Sequence, residues 1–413
     1  MTSMREDLLA IVRKSIESAL PDQAVAEALK YLKRPEGKLI LVAVGKAAWQ
    51  MAYAAEKQLG DTLDCGVCIT KYGHVKGEIP HVTCIEAGHP VPDGNSIRGA
   101  RVAENLVSGL SEKDTVLFLV SGGGSALFED PLVPLEELKN ITSQLLASGA
   151  DITEMNCIRK RLSRVKGGHF GKMCAPARVF SIVLSDIIGD PLDMIASGPA
   201  YPDSSTCEDA LQIVEEYQLT LSDTVMNLLT KETPKHLDHV ETYVTGSVKQ
   251  LCHAAMQEAE KLGYEPVFLT ASLNCTARDA GSFLSSIARD HADTKKPLAY
   301  VAGGETVVHL TGNGLGGRNQ ELALAAAEGI DGLDNCALVS VGSDGTDGPT
   351  DAAGGIVDGM TTGKLKQCGI SIPAVLAEND AYHALKQVDG LVMTGATGTN
   401  VNDVTVLLLR PAQ

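Results

Sequence analysis

Thr115-Val-Leu-Phe-Leu-Val120 runs straight into Ser121-Gly122-Gly123-Gly124-Ser125-Ala126. The first six residues form a short apolar run that reads as a fully buried strand. The three glycines that follow expose a row of backbone N–H groups with no side chain in front of them. Such a nest favours an anion, especially where a helix starts just beyond it. A tight strand-to-turn connection without a ligand is the alternative reading of the same residues.

The pattern recurs along the chain. Lys38 to Val44 is apolar and short, and Ala47 to Gln58 reads as helical. Thr115–Val120 is followed by a helical stretch from Pro134 to Ser148, and Arg178 to Leu184 by a loop rich in Gly, Pro and Asp. Pro297 to Ala302 and Val307 to Leu310 read as strands, Asn319 to Ala327 as a helix, and Cys336 to Val341 as a strand before another Gly/Asp loop. Alternation of this kind predicts α/β layers with mostly parallel sheets. Ligands then belong at the carboxyl ends of the strands.

The chain has 413 residues, more than one ordinary core accommodates, so two or three domains are expected. The polar stretch Lys231 to Glu241 marks a join, giving domains over 1–240 and 241–413. A composition of 44% hydrophobic and 21% charged residues is globular, and a net charge of −17 argues against a nucleic-acid partner. An anionic ligand must therefore be gripped locally, against the field of the molecule. No apolar run approaches a membrane span, and Leu8 to Leu20 reads as an amphipathic helix rather than a leader. The ten cysteines include one C-x-x-C, Cys65 and Cys68, with no second pair or histidine at ligand spacing. Reduced thiols in a cytoplasmic protein are the expectation.

Five segments offer chemistry. Gly45-Lys46 places an ammonium at a strand-to-helix junction, suited to phosphate binding; an exposed lysine in a first helical turn is the plain alternative. Asp151 to Gly168 begins with a capping-box pattern, Asp151 with Glu154, and carries Arg159, Lys160, Arg161, Arg164 and Lys166. Those charges read either as a solvated helix face or as side chains reaching a carboxylate or phosphate. Asp186 and Asp190 follow the 178–184 strand, where a carboxylate can take a hydroxyl proton, hold Mg²⁺, or merely cap a turn. Gly303-Gly304-Glu305-Thr306 precedes Gly312-Asn-Gly314-Leu-Gly316-Gly317-Arg318-Asn319, a literal G-x-G-x-x-G without the acidic residue expected about twenty positions on. Arg318, at a helix start, is the more plausible phosphate contact. Asp344, Asp347 and Asp351 lie in a Gly loop whose spacing does not match an EF-hand; it reads as turn-rich, with Mg²⁺ or ribose contact as the minor reading.

In this order the segments resemble the glycerate 2-kinase family, whose C-terminal part is a MOFRL domain. The matching strings include Val44-Gly-Lys-Ala47, Glu86-Ala-Gly-His-Pro-Val-Pro-Asp93, Ser121-Gly-Gly-Gly-Ser-Ala-Leu127, Ile195-Ala-Ser-Gly-Pro199, Gly316-Gly-Arg-Asn-Gln-Glu321, Gly342 to Asp351 and Thr397-Gly-Thr-Asn-Val-Asn-Asp403. Ala200-Tyr201 and Ala396 depart from it, without touching a charged position. The resemblance implies a larger Rossmann-like N-terminal domain and a smaller C-terminal MOFRL domain, with the active site in a cleft between them. It implies ATP- and Mg²⁺-dependent phosphorylation of D-glycerate at its 2-hydroxyl, giving 2-phosphoglycerate. Lys46, Asp186 and Arg318 would then be the catalytic group, with Asp190 on the metal. Ser121, Gly122, Gly123, Gly124 and Ser125, with Arg159 or Lys160, would hold the substrate. Gly303, Gly304, Glu305, Gly314, Gly316, Gly317 and Asn319 would line the nucleotide. An NAD(P)H-dependent hydroxypyruvate reductase is the alternative, resting on the glycine string. A homodimer is one option for the assembly.

Overall fold

The computed structural model describes residues 3–185, 191–395 and 397–411. They form two units: residues 24–185 with 191–245, and residues 3–23 with 246–411.

The first unit is built on β1 (Leu39–Val44), β2 (Cys65–Lys71), β3 (Val82–Ala87), β4 (Thr115–Val120), β5 (Arg178–Leu184) and β6 (Val240–Thr245). Their order is β3-β2-β1-β4-β5-β6, every pair parallel. This is the strand order of doubly wound sheets, which switch direction between the first and fourth strands and open a crevice there. Every residue of β1 and of β4 is buried, as their unbroken apolar sequences require. One face is covered by the Pro21–Leu29 and Ala48–Leu59 helices, whose Val25, Ala28, Met51 and Ala55 pack on Leu41, Leu117 and Ile182. On the other face Phe118, Phe128 and Phe170 form a ring cluster with centroids 5.0–6.4 Å apart. The Leu135–Ser148, Ile152–Arg161, Cys207–Glu216 and Asp223–Leu229 helices bury a satellite core that includes Leu145, Ile158, Ile213 and Val225.

The second unit holds β7 (Glu265–Leu273), β8 (Leu298–Gly304), β9 (Cys336–Gly342), β10 (Gly354–Asp358), β11 (Leu391–Val392) and β12 (Asp403–Leu409), in the order β11-β10-β9-β12-β8-β7. Here the expectation of a mostly parallel sheet fails. Only β7 and β8 run parallel; the other four pairs are antiparallel. Long apolar strands read as parallel because parallel sheets are covered on both faces. This sheet is also covered on both faces, so its antiparallel strands are equally apolar. Along β12, Val404, Val406 and Leu408 join the core under the Met4–Ser18 and Val248–Lys261 helices. Leu407 and Leu409 join the core under the Ala277–Asp290 and Arg318–Gly329 helices.

Two boundaries differ from the sequence partition at 240/241. β6 pairs with β5, so the first unit runs to Thr245. The first helix, Met4–Ser18, belongs to the second unit. It starts with a Ser3/Glu6 capping box and buries Leu8, Ile11, Val12 and Ile16, the stripe of an amphipathic helix. Tyr264 Oη donates to Asp7 at 2.7 Å and Arg5 Nε to Asp358 at 2.5 Å, fixing it there. Val307 to Leu310, read as a strand, is irregular and makes only an isolated bridge from Val307 to Thr276. Among the described residues no helix is long and apolar enough to cross a membrane.

Candidate active site

The loops after β1 and β4 meet at the switch point of the first sheet. Val44 and Val120 are register partners, and Ser121 N donates to Val44 O at 2.9 Å. Lys46 N then donates to Gly122 O at 2.8 Å, and Ala47 N to Ser121 Oγ at 3.1 Å. Gly123 is left-handed (φ 84°) and caps the short Gly124–Leu127 helix. A Cβ there would lie 3.0 Å from Lys46 Cγ and 3.1 Å from His89 Cδ2. The lysine stem and the His89 ring therefore lie against the bare backbone of the loop. Burial, and then the Lys46 charge, holds His89 below the usual histidine range. His74 Nδ1 is 3.0 Å from the carbonyl oxygen of Lys46 and steadies the loop from behind.

The far side of the loop is braced by hydrogen bonds. Ser125 Oγ is 2.8 Å from Ser197 Oγ, which donates to Asn156 Oδ1 at 2.9 Å. Arg159 Nη2 donates to Ser125 O at 3.2 Å, while its Nε is buried without a partner among the described residues. Burial lowers the Arg159 pKa, with the charge of Glu129 opposing. Ala196 and Ser197 both have positive φ (53° and 62°), a strained arrangement for residues with a Cβ. An ammonium, a glycine loop and an arginine with an unmatched donor thus surround the end of β4. Asp186 and Asp190 lie outside the described residues.

Most of the other basic side chains of the 151–168 segment are buried in ion pairs and hydrogen bonds of their own. The Asp151/Glu154 capping box forms, and the helix ends at Arg161. Lys160 donates to Asp203 at 2.9 Å and to Asp193 at 3.3 Å, buried. Arg161 donates to Ser205 Oγ at 2.9 Å and to Ser205 O at 2.8 Å. Lys166, 0% exposed, pairs with Glu129 at 2.6 Å. Arg164 alone of the four is solvated, and it pairs with Asp130 at 3.4 Å. Burial brings the Lys166 pKa down to about 8, the charge of Glu129 acting against it. Of the two candidates Arg159 and Lys160, only Arg159 has a buried nitrogen with no partner among the described residues. A charge run gives no warning of such pairing, because the partners lie 30 or more residues away in sequence.

In the second unit a cavity of about 800 Å³ is lined by residues from Glu305 to Arg318, with Glu321, Gly348, Pro349, Asn379 and Ala381. Arg318 at its edge grips Asp403 through Nε (2.6 Å) and Nη2 (2.9 Å), and Glu305 through Nη1 (2.9 Å). Burial would lower the Arg318 pKa; the bonds and charge of Asp403, with Glu305 and Asp347, outweigh it and hold it above the usual arginine value. Asp403 is itself raised by burial, against the pull of Arg318. Asp347 reaches the start of the Arg318–Gly329 helix and accepts from Asn319 N (3.1 Å) and Gln320 N (2.9 Å). Burial pushes its pKa up to about 6, the two amides opposing.

The glycine string serves packing. Cβ atoms at Gly312 and Gly314 would lie 2.4–2.5 Å from Glu378 or Asp380, and one at Gly317 would lie 2.3 Å from Asp347. The helix-start amides that receive a pyrophosphate in a dinucleotide site go to Asp347 here. Glu305, Gly314, Gly316 and Gly317 line the cavity; Gly303, Gly304 and Asn319 do not. A Cβ at Gly303 would lie 2.5 Å from Val248 Cγ1, so this glycine brings β8 close to a helix. Asn319 is buried, receiving Ser340 Oγ at 2.6 Å. The sequence did not single out His89, Ser197 or Thr306 individually, although each lies in a motif string, nor the capping role of Asp347, whose signal was an aspartate in a glycine loop.

A doubly wound sheet with a cationic glycine loop at its switch point, in one chain with a second α/β unit around a glycine-rimmed cavity, defines a two-domain α/β protein suited to phosphorylated small molecules. The family described as domain of unknown function DUF4147 matches residues 7–230, and the MOFRL family matches residues 298–403. A D-glycerate 2-kinase of Thermotoga maritima is 52% identical, with 98% of this chain and 99% of that protein covered. A glycerate 2-kinase of Pyrococcus horikoshii is 41% identical, covering 98% of this chain and 97% of its own. The crystal structure of a Thermotoga maritima glycerate kinase superposes with a TM-score of 0.94 over 98% of this chain and 99% of that one. The chain belongs to the glycerate 2-kinase family.

Proposed function

We propose that this protein transfers the γ-phosphoryl group of ATP to the 2-hydroxyl of D-glycerate, giving 2-phosphoglycerate and ADP. The observation that carries this reading is the Lys46 stem lying on the Gly122–Gly124 loop, with the unmatched Nε of Arg159 near the loop's other end. Phosphoryl transfer depends on positioning and charge neutralisation more than on covalent chemistry. Glycerate's carboxylate suits the loop amides and Arg159. Lys46 would neutralise the transferring phosphoryl group. Asp186 would take the hydroxyl proton as the oxygen attacks phosphorus. Arg318 uses three of its five N–H donors on Asp403 and Glu305, leaving two for a phosphate oxygen.

Among the described residues no three His, Cys, Asp or Glu side chains are grouped to hold a metal ion. A magnesium ion that arrives on nucleotide phosphates needs only one or two carboxylates, and Asp190 is the proposed one. When bound it neutralises charge on the phosphate oxygens. The reductase alternative loses its basis, because the amides beyond the glycine string are capped by Asp347.

Purified protein incubated with ATP, Mg²⁺ and D-glycerate should release ADP and 2-phosphoglycerate, identified by phosphorus NMR. A 3-phospho product, or turnover that appears only with NADH and hydroxypyruvate, would overturn the assignment.

A further inference from the structure

The cavity of the second unit has a chemistry that does not match a triphosphate. Four of its rim amides, on the side away from Arg318, are already occupied. Thr311 N and Gly312 N donate to Asn379 Oδ1 (2.7 and 2.9 Å), Gly314 N to Glu378 O (2.8 Å) and Leu315 N to Asp380 Oδ1 (2.9 Å). Arg318 is the sole cation among its described lining residues and is paired with both Asp403 and Glu305. Two carboxylates, Glu305 and Glu321, face the same space. Polyanion sites show the reverse pattern, with open amides and unpaired cations.

The same walls suit a neutral, flat, partly apolar group. Val307 and Leu310 are 49% and 82% exposed, unusual for large aliphatic side chains, and both line the cavity. Val308, Pro349 and Ala381 continue the apolar surface. Thr306 also lines it, is 5% exposed, and its Oγ1 is buried without a hydrogen-bond partner among the described residues. A buried hydroxyl left unmatched in the protein points to a partner in a ligand. Pockets of this volume bind small molecules through apolar walls and a few placed polar groups.

We propose that this cavity takes the nucleoside end of the phosphate donor, base and ribose, with Thr306 Oγ1 hydrogen-bonding the base and Glu305 accepting from the ribose hydroxyls. The proposal rests on the kinase reading and assigns which part of the nucleotide the second unit reads. The triphosphate lies outside the cavity, beginning at Arg318. Val307 and Leu310 pack on the base.

The test uses adenosine, which has the base and ribose but no phosphate. Steady-state rates at saturating D-glycerate are measured against ATP with adenosine added, and adenosine binding is measured directly by calorimetry. Adenosine should compete with ATP. Thr306→Val should weaken adenosine and raise KM for ATP by the same factor, about 3–10-fold, as loss of one neutral hydrogen bond does, with kcat reduced far less. Leu310→Ser, at an exposed position that does not test folding, should shift both constants in the same direction. If the kinase is active but adenosine is non-competitive, or both variants bind adenosine as the wild type does, the nucleoside assignment is wrong and the kinase reading stands. Adenosine binding that is lost in both variants, in a protein without kinase turnover, supports the cavity assignment and removes the kinase reading.

Discussion

Lys46 is useful because of what surrounds it. A lysine after a strand reads equally well as a solvated side chain, and the sequence offers no means of choosing. Its backbone bond to Gly122 and its stem over Gly123 place it on the glycine loop. The loop itself was legible, since three glycines in a row after a buried strand leave the backbone bare, which a tight turn or a ligand requires and a core does not. Arg159 and Lys160 were not separable in sequence, because what divides them is a distant partner, Asp203. For the proposed base, Asp186→Asn keeps the shape but removes the proton acceptor. We expect kcat to fall by roughly 10²–10⁴ while the affinity for D-glycerate measured by calorimetry is retained. Asp190→Asn with that profile, beside an Asp186→Asn near wild type, would exchange the two roles.

The Arg318–Gly329 helix shows how a motif can match in letters and differ in use. Its start, the glycines before it and the strand upstream were all visible in the sequence. The carboxylate that caps it, Asp347, comes from a loop 28 residues away; the aspartate was visible in the sequence and its capping role was not. Strands were found where apolar runs are short and bounded, as in β1, β4 and β5; β12 was not read as a strand, and the antiparallel direction of the second sheet was missed because burial on both faces removes the alternation that marks an antiparallel strand. The cap also makes a pH prediction. Asp347 has a folded-state pKa of about 6, raised by burial from its ordinary value of 3.8. The folded chain therefore holds a proton that the unfolded chain releases earlier. Its contribution to stability is full below about pH 4 and is lost as pH rises through 6. Asp347→Asn should flatten that part of the profile. Urea unfolding midpoints at pH 4, 5, 6 and 7 measure it; an unchanged slope would locate the titration elsewhere.

The chain divides its proposed chemistry between two units: Lys46 belongs to one and Arg318 to the other. If both act on one phosphoryl group, their removal should not multiply. Lys46→Ala and Arg318→Ala should each lower kcat by about 10²–10³. The double variant should lose less than the product of the two, because groups acting together are non-additive. Strict multiplicativity would show independent roles. Arg318→Ala also strips the partner from the buried Asp403 and should lower stability by on the order of 1–3 kcal/mol. Thermal unfolding of the variant must therefore accompany its kinetics.

The first helix has a further consequence during synthesis. It precedes every other described element, yet its core partners are β8, β9, β12 and the Val248–Lys261 helix. Roughly 220 residues separate Gln23 from Gly246, so at about 5–20 residues per second the wait is on the order of 10–40 s. In that interval the first unit, whose described residues all lie between Ala24 and Thr245, can complete its sheet. Leu8, Ile11, Val12 and Ile16 meanwhile have no surface of their own to cover them. The nascent chain thus carries an adhesive early segment past the folding of a whole neighbour. The polar face of that helix, with Glu6, Arg13, Lys14 and Glu17, is the side it can turn to water until its own sheet arrives.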